Sequence, residues 1–259
     1  MTVFYRLVVS TCFVYLLLPV ILIIPISFSR DDYLTFPPSG FSLRWYEALW
    51  RQTDLLHAFA VSAALAAAVT IVTLVVAIPA AYAIVRMKVP GSDALYNVFT
   101  APLLLPTIVL GLAVLIVFGR IGVLGTYQGV LLGHLLLTLP SALRVLVTAL
   151  ATLPLDVEEA AGTLGARPTT ILRRITLPAM VPGIVASAAL SFLVSFDEVT
   201  LTLFLAGPEV TTLPVQLFHY VETKTDPIVA SISVVLIALT VVIIFLVEKS
   251  IGLSRAFIR

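Results

Sequence analysis

Charge is scarce in this sequence. Lys, Arg, Asp and Glu make up 11% of its 259 residues, whereas a soluble globular protein devotes about a quarter of its residues to them. So few charges cannot cover a water-facing surface, and no stretch is polar enough to form a soluble domain. Neither sign prevails: 15 Lys and Arg stand against 14 Asp and Glu, a net charge of +1, which gives no electrostatic footprint for nucleic acid. Cysteine is nearly absent. Cys12 stands alone in an apolar run, which excludes an internal disulfide, a thiolate zinc site and a CxxC redox pair. The GxxxxGK(S/T) phosphate loop, the HExxH zinc helix and the GxSxG elbow are all missing. The chain is therefore expected to be no enzyme, to hold no metal or cofactor, and to draw any energy it needs from a partner.

What is present is hydrocarbon. Hydrophobic residues reach 60% and the mean hydropathy is +1.14. Six stretches are long and apolar enough to cross a bilayer as helices: Leu7–Phe28, Leu56–Val85, Leu95–Phe118, Gly125–Leu150, Met180–Leu205 and Ile228–Val247. The expected class is an all-α integral membrane protein, residues 1–259 forming one transmembrane domain. Arg6 and the Ser27-Phe28-Ser29 stretch give the first span a superficial likeness to a signal peptide, but its apolar run exceeds the usual 7–15 residues. It is read as a retained helix. The short loops distribute their cations unevenly: Arg6, Arg86, Lys88, Arg144, Arg167, Arg173, Arg174, Lys249, Arg255 and Arg259 fall on one side, and Arg30, Arg44, Arg51, Arg120 and Lys224 on the other. Ten against five puts both termini in the cytoplasm. In the first external loop, Phe41–Trp50 carries aromatics and charges at roughly helical spacing, which suits a short helix at the headgroup level.

Pro19, Pro25, Pro79, Pro102, Pro106 and Pro140 lie inside spans. Each frees a backbone carbonyl and kinks its helix, which lipid tolerates only against other helices, water or a cavity. Ser62–Ala68 and Gly125-x3-Gly129-x3-Gly133 place small residues on one helix face, the pattern of a tight helix seam.

One polar island interrupts the apolar chain: Leu153–Pro182, with Asp156, Glu158, Glu159, Arg167, Arg173 and Arg174. Two short helices are expected. Asp156 can cap the first, with Glu159 completing a capping box. Ala160, Ala161 and Gly165 give that helix a face with almost no bulk, and Gly165 and Pro168 end it. The second runs from about Thr169 to Thr176, before Leu177-Pro178 turns into the fifth span. Such a segment is shaped to be gripped by another protein, or else is an amphipathic connection whose arginines meet lipid phosphates.

The spacing Glu159-Ala-Ala-x3-Gly165-x9-Ile175-x-Leu177-Pro178 matches the EAA signature of bacterial binding-protein-dependent (type I) ABC importer permeases. Ser42-Leu-Arg-Trp-Tyr46, Ala80-Ala-Tyr-Ala83 with Arg86, and Leu139-Pro140 are similar to the same family. The resemblance runs from about Phe41 to Leu205, and more loosely to the C-terminus. It implies an inner-membrane permease fold of six transmembrane helices, in which segment 154–178 is the coupling helix that seats in a groove of a cytoplasmic ATPase. Glu158, Glu159, Ala160, Ala161, Gly165, Arg167, Ile175, Leu177 and Pro178 are then the coupling residues. It further implies two ATPase subunits that bind the ATP and Mg, a second permease, expected to be a different chain, and an extracytoplasmic solute-binding protein. Ser195-Phe-Asp-Glu198 followed by Phe204-x2-Gly207-Pro208 most resembles the spermidine/putrescine branch, whose relatives handle opines, aminoethylphosphonate and similar small amines.

Asp197 and Glu198 fall within the fifth apolar stretch. Sixteen residues beyond Val181, at 1.5 Å per residue, Asp197 lies about 24 Å along it, towards the external side. An ionised group near the hydrocarbon centre costs about 2.5–3.5 kcal/mol. Two readings stand: Asp197 or Glu198, with Ser195, helps an organic cation through, or the carboxylates make structural contacts with a neighbouring helix. His134 faces the pathway or bonds a neighbouring backbone. A secondary carrier with an ion held at Asp197 or Glu198 is the rival mechanism.

Overall fold

The computed structural model describes residues 2–87, 89–208 and 210–251. Lys88, Arg255 and Arg259, three of the ten cations assigned to one side, lie outside the described residues. The described chain is helical, with only the isolated bridges Ser29–Phe41 and Gly207–Val210 in extended pairing. Five helices are long and apolar enough to span a membrane: Phe4–Ser27, Thr53–Met87, Tyr127–Ala151, Pro168–Phe196 and Ile228–Phe245; a broken pair, Ser92–Leu104 with Thr107–Ile121, supplies a sixth crossing if taken as one span.

That broken pair departs from the straight span expected over Leu95–Phe118. Helix α4 (Ser92–Thr100) runs through a 3₁₀ turn at Ala101–Leu104, and α5 (Thr107–Ile121) leaves at 104° to it. Pro106 is the cause. Its ring disfavours helical geometry in the residue before it, and Leu105 is extended at φ −93°, ψ 138°. Pro19 and Pro25 in α1 (Thr2–Ser27), Pro79 in α3 (Thr53–Tyr82) and Pro140 in α6 (Tyr127–Ala151) stay inside their helices.

The fifth span also differs. It starts earlier than Met180: α8 (Pro168–Ile171) passes through a π turn, Leu172–Thr176, straight into α9 (Leu177–Phe196). Leu177-Pro178 makes no turn: helical geometry continues through Thr176 and Leu177, and the widened π turn stands just before the proline, one of the local adjustments by which a membrane helix carries proline. The span then stops at Phe196, and α10 (Thr200–Leu205) is a separate helix. Glu198 makes the break, its Oε1 accepting the amide of Leu201 at 2.7 Å in place of a backbone carbonyl.

The chain divides into two compact units. The larger, residues 58–215, is built around α6. Helix α3 lines it with Val61, Leu65, Val69, Thr73, Ala77 and Ala81, all buried, a stripe four residues apart on one face. One cluster joins Val61, Leu65 and Val69 to Leu110 and Val114 of α5, Val130 and Leu135 of α6, and Leu201 and Leu205 of α10. The other joins Ala77 and Ala81 to Leu143, Leu146 and Leu150 of α6 and Met180 of α9. Between apolar helices in lipid the driving force is close packing rather than exclusion of water, and small residues make it possible. A Cβ on Gly133 would strike Leu205, one on Gly111 would meet the Phe204 ring at 2.5 Å, and one on Gly183 would strike Ala149. The Gly125–Gly129–Gly133 spacing is not a single helical face, however. Gly125 precedes α6 in a left-handed turn at φ +76°, packed beside Gly207.

The smaller unit combines residues 1–57 with 216–245: α1, α2 (Arg44–Trp50), most of α11 (Leu213–Thr223) and α12 (Ile228–Ile251) as far as Phe245. Helix α2 realises the short helix expected in the first loop. Asp31 organises that loop, accepting from the Ser29, Thr35 and Ser39 hydroxyls and the Ser39 amide. The Trp45 indole donates to the Asp31 carbonyl. Ser231 Oγ donates to the Ser27 carbonyl at 3.1 Å and so ties α12 to α1. Helix α11 was not expected, its apolar run being too short to stand out.

Candidate functional site: the polar knob and the carboxylate break

Helix α7 (Asp156–Thr163) is the first of the two expected island helices. Its N-terminus is not capped by Asp156. Leu155 already has helical geometry, φ −73° and ψ −28°, so Asp156 falls one position inside and no side chain caps the end. The capping box is therefore not formed. Asp156, Glu158 and Glu159 still sit in the first turn, where the helix dipole favours negative charge.

The other end is closed by backbone. Gly165 adopts φ +84°, its amide bonds the Gly162 carbonyl at 2.9 Å, and the Ala166 amide reaches the Ala161 carbonyl at 3.0 Å. This pairing is the Schellman motif, which places a residue in the left-handed region where glycine carries no penalty. Nothing lies within 4 Å of a Cβ built on Gly165 or Gly162, so this side of the knob is open. Arg167 then stands exposed at the N-cap of α8, Thr176 is buried, and Ile175 and Leu177 are half-buried at the root of α9, with Pro178 exposed.

The two adjacent glutamates face different ways. Glu159 is exposed, as are Ala160, Gly162 and Gly165, while Ala161 is half-buried. Glu158 turns inward: its Oε1 accepts from Arg86 Nε at 3.0 Å, the two side chains only 11% and 9% exposed. Arg86 lies on the π turn Ala83–Met87 that extends α3, and its Nη2 also donates to the Leu153 carbonyl at 3.0 Å. Leu164, absent from the expected coupling residues, is 89% exposed at the tip of the knob, with Val157 and Leu155 also exposed. The spacing pattern treats position 164 as free, so only its apolarity beside small residues could have drawn attention to it.

The second cluster surrounds the α9–α10 break. His134 is 1% exposed. Its Nδ1 pairs with Ser195 Oγ at 2.8 Å and its Nε2 with Thr202 Oγ1 at 2.9 Å. The imidazole thus joins the last turn of α9 to the first turns of α10, and its partners are hydroxyls rather than backbone. Ser195 is buried with it. Asp197 terminates α9 and is exposed, whereas Glu198 is half-buried by its bond to Leu201. The carboxylates are therefore not inside a continuous helix. Among the described residues no group of three or more His, Cys, Asp or Glu could hold a metal ion.

Comparison with known proteins identifies the architecture. Residues 73–250 match the family described as binding-protein-dependent transport system inner membrane component. The chain is 31% identical over 236 residues to the spermidine/putrescine transport system permease protein PotC of Haemophilus influenzae, covering 90% of this chain and 91% of that one. It is also 31% identical over 222 residues to the putrescine transport system permease protein PotI of Escherichia coli, covering 83% and 79%. The molybdenum transport system permease protein ModB of Mycobacterium bovis is 35% identical over 216 residues, 78% of each chain. A structure of the inward-facing MetNI methionine ABC transporter superimposes with a TM-score of 0.59 at 21% identity, over 80% of this chain and 100% of that one. This chain belongs to the inner-membrane permease components of binding-protein-dependent transport systems, with the all-helical fold of a type I ABC importer permease.

Proposed function

We propose that this chain forms half of the translocation pathway of an ATP-driven importer for a small organic cation of the polyamine class. In this reading α7 and the left-handed turn after it enter a groove on a cytoplasmic ATPase. Two such ATPases bind ATP and Mg, a second, different permease supplies the other half of the path, and an extracytoplasmic binding protein delivers the cargo. Both termini lie in the cytoplasm, on the side of the knob. ATP-driven closure of the ATPases moves the knob, and the permease pair alternates between outward- and inward-facing forms.

The observation that carries the reading is the exposed knob. Glu159, Ala160, Gly162, Leu164 and Gly165 are all open to a partner, and Leu164, the most exposed large apolar side chain of the knob, supplies an anchor beside small residues. Interfaces concentrate their energy in a few such anchors. The cargo is inferred from charge. Relatives handle both polyamines and molybdenum by name, so family membership alone does not decide; the exposed Asp197 beside Glu198 favours a cation.

Co-purification tests the coupling. An ATPase should accompany the native chain and be lost, by at least tenfold in yield, from Leu164→Asp and Gly165→Glu. Undiminished ATPase in both variants would refute the docking role of α7. For the cargo, Asp197→Asn should depress uptake of labelled putrescine with the complex still assembled, and unchanged uptake removes Asp197 from the path.

A further inference from the structure

A helix standing on two loops can absorb a push without transmitting it. Helix α7 joins the rest of the chain through residues 152–155 before it and the Gly165–Arg167 turn after it. Those connections alone would let it pivot. The structure adds a third fastening. Arg86 donates to Glu158 at 3.0 Å and to the Leu153 carbonyl at 3.0 Å, which bridges both the helix and the loop leading into it. The residues next to Arg86 are held in turn. Ile84, Val85 and Leu153 pack against the cluster of Ala77, Ala81, Leu146, Leu150 and Met180, which joins the ends of α3, α6 and α9.

We infer that Arg86 is a positioning residue whose bridge to Glu158 and Leu153 makes α7 move as one body with the end of α3. The inference rests on the importer reading above and adds the route by which the knob's displacement enters the membrane helices. Guanidinium geometry suits the task, since its planar fork binds two acceptors at once in fixed directions. A buried pair of this kind gives little stability beyond a hydrophobic replacement, and fixing one arrangement against alternatives is among the uses attested for such pairs. The pair also accounts for why the two glutamates of the knob are not equivalent: Glu159 faces the partner and Glu158 faces the linkage.

The test uses the complete complex, with partner permease, ATPases and binding protein, reconstituted in lipid. In a Cys12→Ser background, spin labels are placed at Thr163→Cys on α7 and Ile71→Cys on α3, both exposed positions. In the native sequence the α7–α3 distance should be the same in the nucleotide-free complex and in the complex trapped with ATP and vanadate. With Arg86→Gln, or with Glu158→Gln, which keeps the side chain's shape, the distance should differ between the two states. ATP hydrolysis should continue while labelled putrescine taken up per ATP falls at least tenfold. Exchanging the charges, Arg86→Glu with Glu158→Arg, should recover both readouts in part. A native distance that differs between the two states, or wild-type uptake per ATP in both single variants, overturns the inference. A native complex that contains no hydrolysing ATPase instead sinks the importer reading itself, and the two failures are told apart in the first control.

Discussion

His134 shows how much one buried side chain can decide in a membrane protein. Both ring nitrogens are engaged, by hydroxyls 61 and 68 residues away, so replacing it with alanine takes the ring from Ser195 and leaves Thr202 with only its bond to the Glu198 carbonyl. Hydrogen bonds between membrane helices average about 0.6 kcal/mol and reach about 1.7. His134→Ala is therefore expected to cost about 1–3 kcal/mol, read as a lower melting midpoint in detergent. His134→Gln, which can keep one of the two bonds, should fall between. Asp31 makes a different case, in the loop outside the spans. Bonds from Ser39, through its hydroxyl and its amide, and from the Thr35 and Ser29 hydroxyls hold its carboxyl well below the ordinary value of 3.8. A depressed carboxylate stabilises the fold above its unfolded pKa and loses that contribution as pH falls through the folded one. The loop should thus stay ordered at pH 4 and loosen only in stronger acid. Trp45 emission, with Trp50→Phe to isolate it, reports this through the indole bond to the Asp31 carbonyl. Asp31→Asn should show shifted emission already at pH 7 and no acid transition; an acid transition as large as the native one would show that another group controls the loop.

At the scale of the element, sequence and structure agree where backbone conformation or steric bulk is the controlling quantity. The end of α7 was legible because only glycine takes φ +84° without strain, and Gly165→Ala, with open space around its Cβ, should cost about 1–2 kcal/mol from the backbone alone. Gly165→Asn should cost less, since asparagine visits that region. Spectroscopic melting of the reconstituted complex, or loss of ATPase co-purification in the order Ala before Asn, checks both. The breaks at Leu105-Pro106 and at Asp197–Val199 were not legible as breaks. Apolar residues run on either side of both, and an apolar stretch reads alike whether it forms a straight helix or, as at Pro106, two short ones meeting at 104°. Proline announced a kink, but its size is set by neighbouring helices. Glu198 looked like a charge stranded in a span; its bond to the Leu201 amide at 2.7 Å is local, only three residues along the chain, the spacing of a side-chain cap at a helix start, and the apolar residues on either side masked it. The inward turn of Glu158 was hidden for a different reason: its partner Arg86 is 72 residues away, a tertiary fact with no spacing signature.

For the whole molecule, the decisive quantity is which side of the membrane each polar segment occupies. The uneven distribution of cations sets the expectation, since Lys and Arg are retained on the cytoplasmic side, and Arg167, Arg173 and Arg174 all flank α7. Putting the knob and the Asp31 loop on opposite faces is also what the proposed mechanism demands: the ATPase acts from within and the binding protein delivers from outside. With Cys12 replaced by serine, the chain contains no other thiol, so single cysteines at Leu164 and Tyr33, both well exposed, can be titrated with a membrane-impermeant maleimide. In intact cells stripped of their outer envelope, Tyr33→Cys should label at once and Leu164→Cys only after the membrane is opened. Inverted vesicles should reverse the order. Labelling of Leu164→Cys in intact cells would put the knob beyond the reach of any cytoplasmic ATPase, and neither the docking role of α7 nor the Arg86 linkage could then operate.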